Sequence, residues 1–350
     1  MDKKKIVLIR DRSMSGPRNN LDYFKNILEK DYGAEVVYVE DRPELDSEGF
    51  SKMFLQMETK GPDSLSVNKD MVEAMRDADF IISHISAISS EAVNNANKLS
   101  AVCILRSGVE NVDVKNATSR GVKVVNAPGR LAIPVSEFTV GLIISEMKNI
   151  ARSHAKMMNG DFNKGFYNQS FTYSLAGNKV GIIGYGTIGK RVAAVMKTME
   201  TEVLVFDPYV EKEIIEKEGF RYLSLNELCK EADVITVHYR LTPETENLVG
   251  KEQFALMKPH AFFFNTARAG LVNEEALIDA LSNHKIGGAG IDVFHQEPLP
   301  SDHPFLSLDN VTLTSHLAGT SSDSFAVTCS IMEKAIRNYF ETGVWINTVN

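Results

Sequence analysis

The chain has 350 residues, 43% of them hydrophobic and 24% charged, with 23 glycines and 11 prolines; this is the make-up of a globular protein of about two domains and excludes a collagenous or low-complexity chain. Lys and Arg total 38 against 46 Asp and Glu, a formal net charge of −8, which argues against nucleic acid or an anionic membrane as a general partner while leaving room for a local basic patch. Cys103, Cys229 and Cys329 are odd in number and far apart, so no disulfide framework is expected and a reducing, cytoplasmic setting is the simplest.

In chain order, strand and helix patterns alternate. Residues 5–10 read as a short buried strand; the apolar run 6–9 is too short for a signal peptide, and no stretch approaches the roughly 18 apolar residues of a membrane helix. A helix follows at 20–30 and a strand at 35–40, then helices at 72–77 and 91–99 and strands at 80–83, 102–105 and 122–125. Residues 42–68 are polar and read as a surface insertion with one helix near 49–59. After Pro134, residues 135–158 read as one long helix. Its apolar positions, Phe138, Val140, Leu142, Ile143, Ile144, Met147 and Ile150, cover more than one stripe and imply burial on two sides. A second series begins at Lys179, with six strands at 179–183, 202–206, 234–237, 261–265, 288–293 and 311–314. Helices fall at 187–200, 211–218, 225–230, 251–257 and 273–283, and a terminal helix at 322–342. The expected fold class is therefore α/β, two doubly wound parallel-sheet (Rossmann-like or flavodoxin-like) domains with a cleft between them.

The second series opens on a G-x-G-x-x-G spacing at Gly184, Gly186 and Gly189, between a strand and a helix. The first glycine permits a tight turn, the second lets backbone approach a pyrophosphate, and the third lets helix pack on strand. Thr187, Ile188 and Gly189 then present free N–H groups at the positive end of the helix. Asp207 ends the next strand, 18 residues after Gly189, where a carboxylate accepts from ribose hydroxyls and repels a 2′-phosphate. The cofactor expected is NAD rather than NADP.

Three further strand ends carry chemistry. Thr266, Ala267 and Arg268 follow the strand 261–265, and the planar fork of an arginine there suits a carboxylate. Asp292 lies in the small-residue-rich strand 288–293, where a carboxylate needs a partner, and Glu297 lies just beyond it. His316 ends the strand 311–314, and of the eight histidines only His316, His238 and His84 sit at strand ends; His154, His260, His284, His295 and His303 lie in helices or loops. An Arg, a Glu and a His beside a dinucleotide fold suggest a reaction. Arg268 would hold the carboxylate of a 2-keto acid, His316 would give a proton to its carbonyl oxygen, and Glu297 would fix the His316 tautomer. His238, Thr266 and Ala267 join the cofactor-contact candidates, and no metal site is expected.

The ordered set G-x-G-x-x-G, Asp207, N-x-A-R-x-G, D-V-F-x-x-E-P and S-H-x-A-G resembles the D-isomer-specific 2-hydroxyacid dehydrogenases, a family that includes D-3-phosphoglycerate dehydrogenases, from about Val72 to the terminal helix. The resemblance implies a catalytic trio of Arg268, Glu297 and His316, with Asp292 on the nicotinamide carboxamide. It implies a discontinuous substrate-binding domain, 1–127 with 318–350, around an NAD-binding domain at 128–317, and a homodimer built largely on the helix 133–159. It also implies a substrate loop at 105–113, whose backbone N–H groups at Ser107 and Gly108 bind a carboxylate. That loop is two residues shorter than the usual R-A-G-x-G-V-D-N-V-D, although Arg106 remains to reach a phosphate or a distal hydroxyl. Tyr239 and Arg240 stand where the family has V-P, and Arg130 adds another cation; structural ion pairs are the alternative role for Arg130 and Arg240. The substrate expected is a small 2-hydroxy or 2-keto acid, phosphorylated or sugar-derived. No regulatory domain follows residue 350, so feedback through one is not expected. Corepressors that resemble the family keep the same Arg, Glu and His, so an NADH-sensing binding protein stays open, as does a formate- or phosphite-type oxidation.

Overall fold

Short runs of Val, Ile, Phe and Leu bounded by polar turns become strands buried on both faces, as parallel strands under helices must be. The computed structural model describes residues 3–14 and 21–350. The chain forms two compact units, Met1–Arg130 with Ser321–Asn350, and Leu131–Thr320.

The first unit holds β1 (Lys5–Arg10), β2 (Glu35–Glu40), β3 (Phe80–Ser83), β4 (Ala101–Ile104) and β5 (Lys123–Val125). They pair in parallel in the order β2-β1-β3-β4-β5. Alternation along each strand sorts the core into two layers. Val7, Ile9, Ile81, Val102 and Ile104 meet Met71, Met75 and Val93 on one face. Ile6, Leu8, Phe80, Ile82 and Cys103 meet Phe24 and Leu28, together with Cys329, Met332 and Ile336 of the helix Ser324–Thr342, on the other. The helix expected from residue 20 is Asp22–Tyr32; Asn20 itself lies outside the described residues. The helix expected at 91–99 is only Ser90–Asn95, and a short helix at Val114–Ser119 was not expected.

The second unit holds β6 (Lys179–Ile183), β7 (Glu202–Phe206), β8 (Arg221–Tyr222), β9 (Val234–Val237), β10 (Phe262–Asn265), β11 (Gly288–Ile291) and β12 (Val311–Leu313). The order is β12-β11-β10-β9-β6-β7-β8, all parallel. The sheet has seven strands rather than the expected six, because β8 is a two-residue edge strand with no apolar run to announce it. Winding reverses between β1 and β3 in the first unit and between β6 and β9 in the second, and ligands of such sheets bind at the carboxyl ends beside that reversal. The glycines of β11 answer a close approach: a Cβ on Gly290 would lie 2.6 Å from the Phe264 ring and 2.8 Å from Leu142.

The long helix expected at 135–158 is two helices, Ala132–Met147 and Ile150–Met158. Within this chain the buried positions of the first, Val135, Thr139, Leu142, Ile143 and Glu146 among them, lie on one stripe, and the second buries none. The break is at Asn149, which takes a left-handed φ of 56° and donates to the side chain of Asn168 at 2.8 Å. The cause is Glu146, fully buried. Both its oxygens accept from Arg152 Nη2 at 2.7 Å, while the Tyr167 hydroxyl donates at 3.0 Å and the Thr312 hydroxyl at 2.5 Å. Residues six apart do not face each other on a straight helix, so the backbone breaks to bring Arg152 onto the carboxylate. Replacing Glu146 by Ala takes the carboxylate from the largely buried Arg152 and the acceptor from the Tyr167 and Thr312 hydroxyls, and is expected to cost about 3–5 kcal/mol; urea denaturation checks it, and a loss below about 1 kcal/mol would contradict the account.

Candidate functional site

The glycine loop of the second unit is set by sterics. A Cβ on Gly189 would lie 2.0 Å from the Gly184 carbonyl oxygen, so only glycine lets the helix Thr187–Thr198 start this close to β6. Gly186 faces open space, with no heavy atom within 4 Å of where its Cβ would be, and it caps the helix with no side-chain bond. The N–H groups of Thr187, Ile188 and Gly189 thus head an uncapped helix with room for a pyrophosphate before them. Asp207, at the end of β7, is buried; one oxygen accepts from Tyr185 N at 2.7 Å and the other from Tyr209 N at 2.9 Å. Tyr239 stacks on Phe206, with its hydroxyl 3.5 Å from Asp207. His238 leaves β9 with Nε2 3.1 Å from the Thr236 hydroxyl and with a buried Nδ1 that has no partner. Burial pushes its imidazole down to about 3, so it is neutral. An orphaned buried nitrogen beside an open phosphate cradle fits a bound dinucleotide.

Beyond β10, Asn265 was missed by the sequence reading. It accepts from Ala267 N at 3.0 Å and donates to the Arg268 carbonyl at 2.9 Å, which fixes the loop carrying Arg268. Thr266 shares a 2.7 Å hydroxyl contact with Thr139. Arg268 is exposed, donates to the Ala267 carbonyl at 2.7 Å, and forms no ion pair among the described residues. Asp292 lies just past the end of β11 rather than within it, fully buried. It meets its need for partners with three donors: the Thr314 hydroxyl at 2.6 Å, Leu317 N at 2.8 Å and Ala318 N at 2.9 Å. These donors bracket His316, which takes a left-handed φ of 55°. Its Nδ1 lies 2.8 Å from Glu297 Oε2, and Phe294 N donates to Oε1 at 3.0 Å. The structure thus joins Glu297 to His316, while Arg268 stands on the loop of the neighbouring strand and is bonded to neither.

In the first unit Arg106 leaves β4. The hydroxyl of Ser107 donates to the Ala127 carbonyl at 3.0 Å, and Ala127 N donates to the Arg106 carbonyl at 2.8 Å. The N–H groups of Ser107 and Gly108 find no acceptor among the described residues. The segment 42–68 is more than a surface elaboration. Its helix Ser47–Lys60 sends Glu58 to Arg106 Nη2 at 2.9 Å and Phe54 beneath the guanidinium at 4.8 Å. Neither Arg130 nor Arg240 forms an ion pair among the described residues; Arg130 donates to the Thr328 hydroxyl at 3.4 Å. Burial and the charge of Arg106 bring the Arg130 guanidinium down to about 10.

Asp11 and Ser13 also escaped the sequence reading; the signal was an acid directly after a strand. At the carboxyl ends of β1 and β3, buried Asp11 accepts from Ser13 N at 2.9 Å, from the Ser13 hydroxyl, and from Ile85 N at 2.8 Å. The Ser13 hydroxyl lies 2.7 Å from His84 Nδ1. Burial above all, then Arg130 and Arg106, push His84 down to about 3. Among the described residues no cluster of His, Cys, Asp or Glu could hold a metal, and no helix is long and apolar enough to cross a membrane.

Residues 140–318 match the NAD binding domain of D-isomer specific 2-hydroxyacid dehydrogenases. The chain belongs to that family. The cofactor of its second unit is NAD. The chain is 36% identical over 284 residues to D-3-phosphoglycerate dehydrogenase of Methanocaldococcus jannaschii, across 81% of this chain and 53% of that protein, so it spans about half the length of that relative. It is 35% identical to glyoxylate reductase of Korarchaeum cryptofilum, across 73% of this chain and 78% of that protein. In fold it resembles the D-isomer specific 2-hydroxyacid dehydrogenase of Lactobacillus delbrueckii ssp. bulgaricus, with a TM-score of 0.77 at 20% identity over 99% of this chain and 100% of that one.

His84 carries a pH signature in stability. An unfolded histidine binds its proton near pH 6.5, whereas folded His84 does so only near 3, so the unfolded state takes up protons first and stability falls as pH drops below about 6.5. Between pH 6.5 and 5 the loss is roughly 1–2 kcal/mol. Urea titrations of wild type and His84→Asn should show a shallower acid slope in the variant, and equal slopes would contradict the assignment.

Proposed function

We propose that the chain is an NAD-dependent dehydrogenase interconverting a small 2-hydroxy acid of D configuration and its 2-keto acid. The His316–Glu297 pair at the carboxyl ends of β12 and β11, in an NAD-binding unit, carries this reading. NADH, when bound, supplies a hydride to the C2 carbon of the keto acid. Arg268 holds the substrate carboxylate through its planar fork. His316 gives the Nε2 proton to the carbonyl oxygen, and the product is the 2-hydroxy acid with NAD in its oxidised form. Once that proton has left, the remaining ring proton sits on Nδ1, where Glu297 accepts it. Nε2 is then the base when the reaction runs backwards. Asp292 acts on the cofactor's carboxamide and, through its three loop donors, on the placement of His316.

Substrate recognition is assigned to residues 1–127 with 318–350, and cofactor binding to 128–317. The unengaged N–H groups of Ser107 and Gly108 support a carboxylate site in the first of these. Relatives named for phosphoglycerate and for glyoxylate bracket the substrate class. Three buried, unpaired thiols support a cytoplasmic setting.

His316→Ala is expected to lower kcat about 10²–10⁴-fold in a coupled NADH absorbance assay with glyoxylate, pyruvate, hydroxypyruvate and 3-phosphohydroxypyruvate, while NADH titrated by fluorescence binds as before. Near-wild-type turnover would refute the mechanism.

A homodimer belongs to the same reading. The helix Ile150–Met158 buries none of its residues and, with the turn after it, exposes Ile150, Met157, Met158 and Phe162 at 54, 49, 74 and 75%, an apolar face that a second copy would cover. Sedimentation should give twice the chain mass for wild type and a lighter species for Met158→Glu; a monomeric wild type would end the proposal.

A further inference from the structure

Three basic side chains gather at the carboxyl edge of the first unit's sheet, yet only Arg130 stands there as an uncompensated cation. His84 is neutral. Arg130 has no carboxylate partner among the described residues. Arg106 is committed: Nη2 donates to Glu58 Oε1 at 2.9 Å, the guanidinium lies over Phe54 at 4.8 Å, and its side chain is only 15% exposed. What Arg106 has left is Nη1, buried and without any partner. A buried donor left unpaired marks a place where a ligand oxygen belongs. One donor on a neutralised arginine suits a hydroxyl or carbonyl oxygen. A phosphomonoester brings roughly two negative charges and three acceptor oxygens, and it needs several charge-assisted donors without a competing carboxylate.

We propose that Glu58, presented by the helix Ser47–Lys60, is a specificity-determining positioning residue that holds Arg106 and turns the site against phosphorylated keto acids, so that the substrate is a short unphosphorylated 2-keto acid whose distal oxygen meets Arg106 Nη1. The inference rests on the dehydrogenase reading and narrows its substrate. Glu58 acts in two ways. It cancels the charge a phosphate would seek, and it pins the guanidinium so that Nη1, rather than the whole fork, faces the substrate. Specificity by a repulsive element is the usual way to reject a ligand that shares most of its atoms with the right one.

The test compares kcat/KM for 3-phosphohydroxypyruvate and hydroxypyruvate in wild type and Glu58→Gln. The ratio, phosphorylated over unphosphorylated, should lie below one in wild type and rise at least about tenfold in the variant, through a lower KM for the phosphorylated acid rather than a higher kcat for both. Glu58→Asp, which keeps the charge, should keep the ratio below one. A wild-type ratio above one, or an unchanged ratio in Glu58→Gln, overturns the proposal while leaving the dehydrogenase intact. If neither keto acid is reduced, the dehydrogenase reading is what has failed. Calorimetry with D-glycerate and 3-phosphoglycerate on the NAD-loaded protein then decides the charge question. Tighter binding of the phosphorylated acid by wild type, or binding of neither, overturns the role of Glu58.

Discussion

A carboxylate buried in protein must find donors or unfold its surroundings. Asp292, fully buried just beyond β11, finds three, and all belong to the loop that leaves β12. Two of them, Leu317 N and Ala318 N, can point at one side chain only if the backbone turns sharply at the residue before them, which is why His316 occupies a left-handed conformation that a histidine would otherwise avoid. The strain at His316 and the satisfaction of Asp292 are one arrangement, and it sets the imidazole against Glu297. Chemistry at this site therefore depends on a residue that contributes geometry before anything else.

The same device recurs at three other strand ends. Asp207 ties Tyr185 N to Tyr209 N, so the glycine loop and the turn after β7 share one carboxylate. Asn265 spans its own loop below Arg268. Asp11 gathers Ser13 and Ile85 N from two strand ends of the first sheet. Parallel sheets leave their carboxyl-end loops rich in unpaired N–H groups. A short acidic or amide side chain at the strand end is the least costly way to satisfy them while keeping the loop tight.

Much of this was legible in the sequence because it is local. Strands such as β1, β2, β3, β6, β7 and β9 occur at the expected residues, since an apolar run between polar turns has few other fates under covering helices. The glycine loop and Asp207 announce themselves by spacing set between a strand and a helix and at the end of the next strand. The Glu297–His316 hydrogen bond was foreseeable because both side chains sit past adjacent strand ends. What stayed hidden is non-local or fine-grained. The break at Asn149 answers Arg152 reaching Glu146, and Glu146 is itself bound to Thr312, 166 residues further on; periodicity records neither. Apolar residues of Ala132–Met147 such as Phe138 and Ile144 pack only along the margins of this chain's core, which periodicity does not record. The pairing of Glu58 with Arg106, 48 positions apart, leaves no trace in a polar stretch whose composition says only that it is wet.

The helix Ser47–Lys60 enters the core through Met53 and Met57 alone. It lies between β2 and β3 in the chain and contributes no strand to either sheet. With Glu58 in its proposed role, recognition is mounted on a segment that belongs to neither sheet. Its exposed positions can be exchanged with little penalty to folding, and exchange at Glu58 changes what stands beside Arg106. With the proposed roles, a scaffold arranged in this way could exchange one acid for another over evolutionary time while the His316 loop of the other unit stays untouched.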